Sequence, residues 1–229
     1  MTITLYELGG KDGVRHCPFC WRTLMALHHK GFDDFLRVPV YYRDRTPIAF
    51  SRQKRVPVLV DGDRWINDSW EIADYLESTY PDRPTLFGSE IGRAQAEFVS
   101  AWIQGIRKPG LTEILLWDAF EHIDPEDRAW WRADREPRFG RLEDFRHGRD
   151  ERTLAWRERL APLRLVLSQK PFLAGPVPAY ADYIVFGDFQ WARCISTAEL
   201  VPSDDPIYAW RERMLDLFDG IARRAPNEA

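Results

Sequence analysis

The sequence predicts a two-part protein, an α/β N-terminal unit followed by an all-α unit, and three observations carry that prediction. Short β-branched runs and one helical pattern alternate in β-α-β and then β-β-α order up to about residue 80. A proline-rich stretch, "PDRPTLFGS" at 81 to 89, follows. Beyond it strand signals nearly vanish, and apolar residues recur at helical spacing to the end of the 229-residue chain. The predicted boundaries are therefore 1–80, a link at 81–89, and 90–229.

In order, "TITLY" alternates and reads as a strand, and "GGKDGVRH" as the loop after it. Pro18 suits a first helical turn, where its missing N–H costs nothing. "FCWRTLMALHHKG" then places Phe19, Thr23, Ala26 and Leu27 on one face and stops at Gly31. "FLRVPVYY" reads as the second strand, and "RDRTPIAFSRQKR" as a loop or short irregular helix. Val58–Val60 and Arg64–Ile66 flank Asp61-Gly62-Asp63, a hairpin signal. "DSWEIADYLESTYP" gives a helix ended by Pro81. The remaining helices are read in "IGRAQAEFVSAWIQGIRK", "LTEILLWDAFEHI", "PEDRAWWRADRE", "ERTLAWRERLAPLRLVLSQ", "YADYIVFGDFQWARC" and "DPIYAWRERMLDLFDGIARR".

Composition narrows the function. With 45% hydrophobic residues the chain can bury a core, and no apolar run approaches the roughly 20 residues that span a bilayer. The first residues lack a signal-peptide layout, so a cytoplasmic location is expected. A net charge of −4 argues against a nucleic-acid surface. The arginines of 128–159 are interleaved with Asp134, Glu136, Glu143, Asp144, Asp150, Glu151 and Glu158, the pattern of a solvated face laced with ion pairs.

The chemistry centres on "RHCPFCWRT", residues 15 to 23. A structural zinc site needs four ligands, and only one cysteine pair is present, so no metal is expected. Three cysteines in a reducing compartment make a structural disulfide equally unexpected. The thiol reading has a mechanism: Cys17 falls at the start of a helix, where unpaired N–H groups and the positive end of the macrodipole favour thiolate. A Cys-Pro-x-Cys at the first strand-to-helix junction is a thioredoxin-like redox motif. Cys20 is either a resolving thiol or a buried apolar residue, and the tendency of free cysteine to be buried favours the second. In "RVPVLV", Pro57 opens a strand, and a cis Val56–Pro57 bond would expose Val56 backbone groups to an extended peptide. Asp68 and Ser69 precede an apolar helical run and read as a helix cap, or as an anion site at that helix N-terminus.

Together, "CPFCWRT", "RVPVLV" and "NDSWEIADYLESTYPDRPTLF", followed by a helical unit, resemble the glutathione transferase superfamily over essentially the whole chain. Within it, "WRTLMALHHKGF", "RVPVLVDG", "DSWEIADYLE", "WWRADREPRFG" and "YADYIVFGDFQWAR" look closest to the etherase-type enzymes of bacteria and fungi, which act on or bind aromatic compounds. The resemblance implies a thioredoxin-like N-terminal domain that binds glutathione as co-substrate, a cytoplasmic homodimer, and a small aromatic or disulfide acceptor. It implies that the Val56 backbone beside cis Pro57 pairs with the cysteinyl part of glutathione. It likewise implies that Asp68 and Ser69 hold the γ-glutamyl end; Lys54 and Arg55, nearby in sequence, are candidates for the glycyl carboxylate.

Two departures from the family pattern matter. Cys17 stands where many etherase-type members have serine, which suggests thiol transfer or deglutathionylation through a mixed disulfide. The alternatives are that glutathione is the nucleophile, for aryl-ether cleavage or conjugation, with Cys17 orienting it, or that the fold binds an aromatic ligand or a protein without turnover. Ala179 stands where a Ser or Thr cap is usual, which leaves Asp182 to hold its helix N-terminus as a structural residue. Trp117, Phe120, Trp130 and Trp131 are candidates for an acceptor pocket because they are apolar and numerous.

Overall fold

In a computed structural model of the chain, which describes residues 3–227, four strands form one sheet in the order β2-β1-β3-β4. β1 (Ile3–Leu8) is central because it pairs parallel with β2 (Leu36–Val40) and antiparallel with β3 (Val58–Asp61). Thr2, the start of the predicted first strand, lies outside the described residues. β3 and β4 (Arg64–Asn67) form the expected hairpin, with Asp61 opposite Arg64 and Gly62 at φ 58°, a conformation that favours glycine. Pro39 sits on the edge strand β2, where a missing donor is tolerated. Glu7 is buried on β1 and satisfied by Arg37 at 2.8 and 3.0 Å and Arg15 at 3.3 Å.

The crossover helix α1 (Pro18–His29) is apolar or buried from Cys20 to Leu27, because sheet and helices cover both its sides. It stops as expected. Gly31 adopts φ 72°, and the Phe32 N–H closes on the Leu27 carbonyl at 3.0 Å. α2 (Ser69–Thr79) follows β4, and α3 (Glu90–Arg107) starts after Ser89, whose side chain accepts the Gly92 N–H. Residues 81–89 form no helix or strand, yet Leu86 and Phe87 are buried in the core cluster that also holds Leu5, Leu24, Ile114 and Phe186. α4 (Leu111–His122), α5 (Arg128–Phe139), α6 (Arg149–Arg159), α7 (Ala161–Leu167), α8 (Tyr180–Ile195) and α9 (Pro206–Gly220) complete the fold.

The helical reading is corrected in three places. The stretch 151–169 is two helices, α6 and α7, because Pro162 has no N–H to continue the ladder. Residues 125–127 form a 3₁₀ turn, and α5 then runs through Pro137 to Phe139. Within 205–224, Phe218 and Asp219 turn left-handed at φ 52° and 55°, which interrupts α9. The following carbonyls of Ala222 and Arg223 instead take hydrogen bonds from Arg193 at 3.2 and 2.9 Å. The arginine-rich segment does carry surface ion pairs, such as Arg132 with Glu143 at 2.8 Å.

α8 is the organising helix of the second part. It is buried along nearly its whole length and packs directly on α1. Gly187 permits that approach: a Cβ there would lie 2.4 Å from the Pro18 carbonyl oxygen and 3.2 Å from Arg22 Cγ. Its N-terminus is held by Asp182, which is fully buried. The carboxylate accepts the N–H groups of Leu173 at 2.8 Å, Ala174 at 3.4 Å and Ala179 at 3.1 Å, and the Trp210 indole N–H at 2.9 Å. Burial pushes this carboxyl above its ordinary pKa, and the four donors pull it back.

Two stability predictions follow from these contacts. Asp182→Ala strands three backbone donors and an indole in the interior, and should cost about 3–5 kcal/mol in urea unfolding, enough to deplete soluble protein. Gly187→Ala forces α8 off α1 and should cost about 1–3 kcal/mol; an unchanged midpoint would show that the two helices slide apart freely.

Candidate functional site

Cys17 is the N-cap of α1, with extended backbone at φ −70° and ψ 119°. Its Sγ accepts the Cys20 backbone N–H at 3.4 Å. Pro18 occupies the first turn as expected. The loop before it is fixed by Trp21, whose indole N–H donates to the Arg15 carbonyl at 2.7 Å. Cys17 as a residue is 7% exposed, so its thiol is not the freely exposed group that a surface helix tip would give. It opens instead onto a cavity of about 220 Å³ between α1 and the helices α3, α4, α5 and α8.

The two sulfurs titrate apart. A hydrogen bond from the Cys20 thiol lowers the Cys17 pKa below its ordinary value of 9.0, with backbone N–H groups of Cys20 and Phe19 adding to it and burial opposing it. Burial pushes Cys20 well up, and pushes Cys194 to about 12. Cys17 is therefore the thiol suited to attack, because the thiolate is the nucleophilic form. His16 lines the same cavity as a neutral ring: burial lowers its pKa to about 4, with His122 and Arg15 contributing.

Val56 packs against the small cluster of Leu8, Cys17 and Cys20, and the Val56–Pro57 bond is cis. This places the proline turn beside the thiol. At the start of α2, Asp68 has φ 73°, uncommon for a residue with a side chain. Asp68 is the N-cap: its carboxylate accepts the Trp70 N–H at 2.8 Å. Ser69 is the first helical residue and buried, and its carbonyl accepts the Tyr180 hydroxyl of α8. Lys54 and Arg55 are exposed, two residues and one residue before Val56.

The aromatic candidates separate. Trp131 lines the cavity, with Phe19, Tyr42 and Trp191, which sequence reasoning did not single out. Trp130 is 43% exposed and stacks on the outer side of Tyr42 at 5.4 Å. Trp117 and Phe120 pack on each other at 5.5 Å and do not line it. A helix presents Trp130 and Trp131 about 100° apart, so only one of an adjacent pair can face inward. Tyr42 reaches the cavity because the buried Asp127 accepts the backbone N–H groups of Tyr42 and Arg43 at 2.7 and 2.8 Å, tying the loop after β2 to the start of α5.

Two arginines also line the cavity, Arg107 and Arg135. The Arg107 guanidinium contacts the fully buried Asp188 at 2.8 and 2.9 Å. Phe19 lies between Arg107 and the buried Arg22, each 4.8 Å from its ring centroid. Among the described residues, no group of three or more His, Cys, Asp or Glu side chains could hold a metal ion. No helix of the described residues is long and apolar enough to cross a membrane.

Comparison with known proteins converges on one family. Residues 16–79 match the family model for the glutathione S-transferase N-terminal domain, and residues 94–207 that for the C-terminal domain. Glutathione S-transferase U22 of Arabidopsis thaliana is 24% identical over 178 residues, covering 76% of this chain and 69% of that protein. The structure of glutathione transferase GSTFuA3 from Phanerochaete chrysosporium superposes with a TM-score of 0.73 at 25% identity, covering 96% of this chain and 92% of that one. CsGST83044 of Ceriporiopsis subvermispora, solved in complex with glutathione, shares the fold at a TM-score of 0.75 and 24% identity, covering 94% and 97%. A small sheet unit carrying a cysteine at its first helix, a cis proline turn beside it and a helical unit closing a cavity over the cysteine have the same explanation as these matches: the chain belongs to the glutathione S-transferase family.

Proposed function

We propose that this glutathione transferase uses Cys17 as a nucleophile in thiol transfer, and that it belongs to the etherase-type branch with cysteine in place of serine. The observation that carries the reading is the position of Cys17 Sγ, a helix N-cap acceptor at the mouth of an aromatic cavity. In the first step the Cys17 thiolate attacks the glutathionyl sulfur of a mixed disulfide, forming Cys17–S–S–glutathione and releasing the acceptor as its thiolate. In the second a glutathione thiolate attacks the glutathionyl sulfur of that adduct. Oxidised glutathione leaves, and Cys17 returns as thiolate.

Glutathione itself would lie along the proline turn. Val56 pairs with its cysteinyl part beside Pro57, Asp68 and Ser69 take the γ-glutamyl amino and carboxylate groups at the α2 N-terminus, and Arg55 or Lys54 takes the glycyl carboxylate. Support comes from the packing of Val56 on the Cys17 cluster and from the sharp turn at Asp68, which presents the first N–H groups of α2 to an anion. Asp182 acts structurally, by the four bonds already described. A cytoplasmic homodimer is the matching assembly; Ile91 and Phe98, two turns apart on α3, are 83% and 73% exposed.

The second reading, in which bound glutathione is the nucleophile and Cys17 only orients it, is favoured by the 7% exposure of Cys17, which limits what can reach the sulfur. One substitution separates the two. Cys17→Ser should keep conjugation of glutathione to an electrophilic aromatic and lose reduction of glutathione mixed disulfides by about 100-fold or more. Retention of both activities would favour the orienting role, since a serine hydroxyl can also hydrogen-bond a glutathione thiolate. Iodoacetamide alkylation gives a second check, because the raised pKa values of Cys20 and Cys194 keep them silent and the rate reports Cys17. Its pH profile should rise below the ordinary thiol value of 9.0 and shift to higher pH in Cys20→Ala, where the thiol donor is gone.

A further inference from the structure

The cavity beside Cys17 is mostly aromatic, yet two guanidinium groups face it, and their partners differ. Arg107 is tied to the buried Asp188 by two short contacts. Arg135, from α5, pairs with Asp134, its neighbour in sequence, which is 39% exposed and also lies 3.5 Å from Arg138. A surface carboxylate shared between two arginines holds neither firmly; such pairs are worth less than about 1 kcal/mol. Meanwhile the Arg135 side chain is only 23% exposed and its guanidinium lies 5.1 Å over the Trp131 ring. Burial lowers its pKa, the sign of a cation short of solvation. A poorly solvated cation with a detachable partner gains from an arriving anion.

The interior behind Phe19 adds to the same sign. Arg22 and Arg107 are served by one carboxylate, Asp188, and Arg22 Nε and Nη2 are buried without a hydrogen-bond partner. Of the acidic groups near the cavity, Asp188 is committed to Arg107, Asp127 to the Tyr42 and Arg43 N–H groups, and Asp134 lies at the surface.

We propose that the acceptor site selects a single-ring aromatic carboxylate, with Arg135 as the specificity residue. This rests on the cavity being the acceptor site of the glutathione reaction. An apolar cavity of about 150 Å³ admits benzene, so about 220 Å³ holds one ring with its substituents. The ring packs among Phe19, Tyr42, Trp131 and Trp191, and the carboxylate replaces Asp134 on the planar fork of Arg135, a geometry that guanidinium and carboxylate share. A thiolate at position 17 repels the carboxylate. The ligand is thereby oriented with its uncharged end toward sulfur.

The test is a tryptophan-fluorescence titration of the intact protein with 4-nitrobenzoate and 4-nitrobenzamide, which have nearly the same shape and differ by one charge. Wild type should bind the benzoate about tenfold more tightly, the scale of one charge-assisted pair. In Arg135→Gln that advantage should fall below about twofold while the benzamide affinity stays put, and Arg135→Lys should lie between. Equal affinities in wild type, or a preference that survives in Arg135→Gln, would overturn the proposal. The readout does not involve turnover, so a failure of Cys17 thiol chemistry leaves it intact. Conversely, disulfide reduction without any carboxylate preference sinks this inference alone.

Discussion

The contact on which the rest of the structure depends is the close approach of α8 to the first turn of α1 at Gly187. Two helices normally lie 8–10 Å apart, held off by their side chains. Here a glycine removes the obstacle, and the Pro18 carbonyl occupies the space where a Cβ would be. The residue that Pro18 follows is Cys17. Seating α8 therefore fixes the helix tip that carries the thiol, and the Asp182 bonds to 173–179 together with the Tyr180 bond to Ser69 fix α8 against both the core and the α2 N-terminus. The thiol and the N-terminus of α2 are held in one frame by a single buried helix.

Such a frame has an electrostatic consequence. Bringing α1, α3 and α8 together buries Arg22 and Asp188 and partly covers Arg107, which water would otherwise solvate. Buried charge is tolerated only where partners replace water. Arg107 obtains two contacts from Asp188, and both guanidinium groups lie on the Phe19 ring, whose face offers weak compensation. Positive charge is thus concentrated at the wall of a cavity that otherwise suits flat apolar rings, while the ionised form of the sulfur is favoured first by the Cys20 thiol.

Much of the fold was legible in the chain. Alternation in "TITLY" and "VLVDGDRW" and the capping and stop signals around α1 acted locally, so each strand and each N-terminal helix lay close to where the pattern put it. The misreadings were local as well. Pro162 split a helix that periodicity ran through, and the helix broke at Phe218 and Asp219, with Arg193 bonding the carbonyls of Ala222 and Arg223 beyond them. Position 130 against 131 could not be resolved from composition, since both tryptophans satisfy the same apolar count and only the rotation of α5 against Tyr42 separates them.

The sequence by itself determined the order of elements, the placement of Cys17 at a helix start, the proline before β3 and the acidic-serine pair before α2, because each depends on backbone preferences spanning a few residues. Only the tertiary structure decided that Cys17 is enclosed rather than exposed, that Arg135 turns into a cavity out of a segment patterned like a solvated face, and that Asp127 carries Tyr42 to the same wall. Burial, desolvation and pairing depend on what arrives from tens of residues away. No local pattern encodes which of several similar arginines or tryptophans will line the cavity that holds the sulfur.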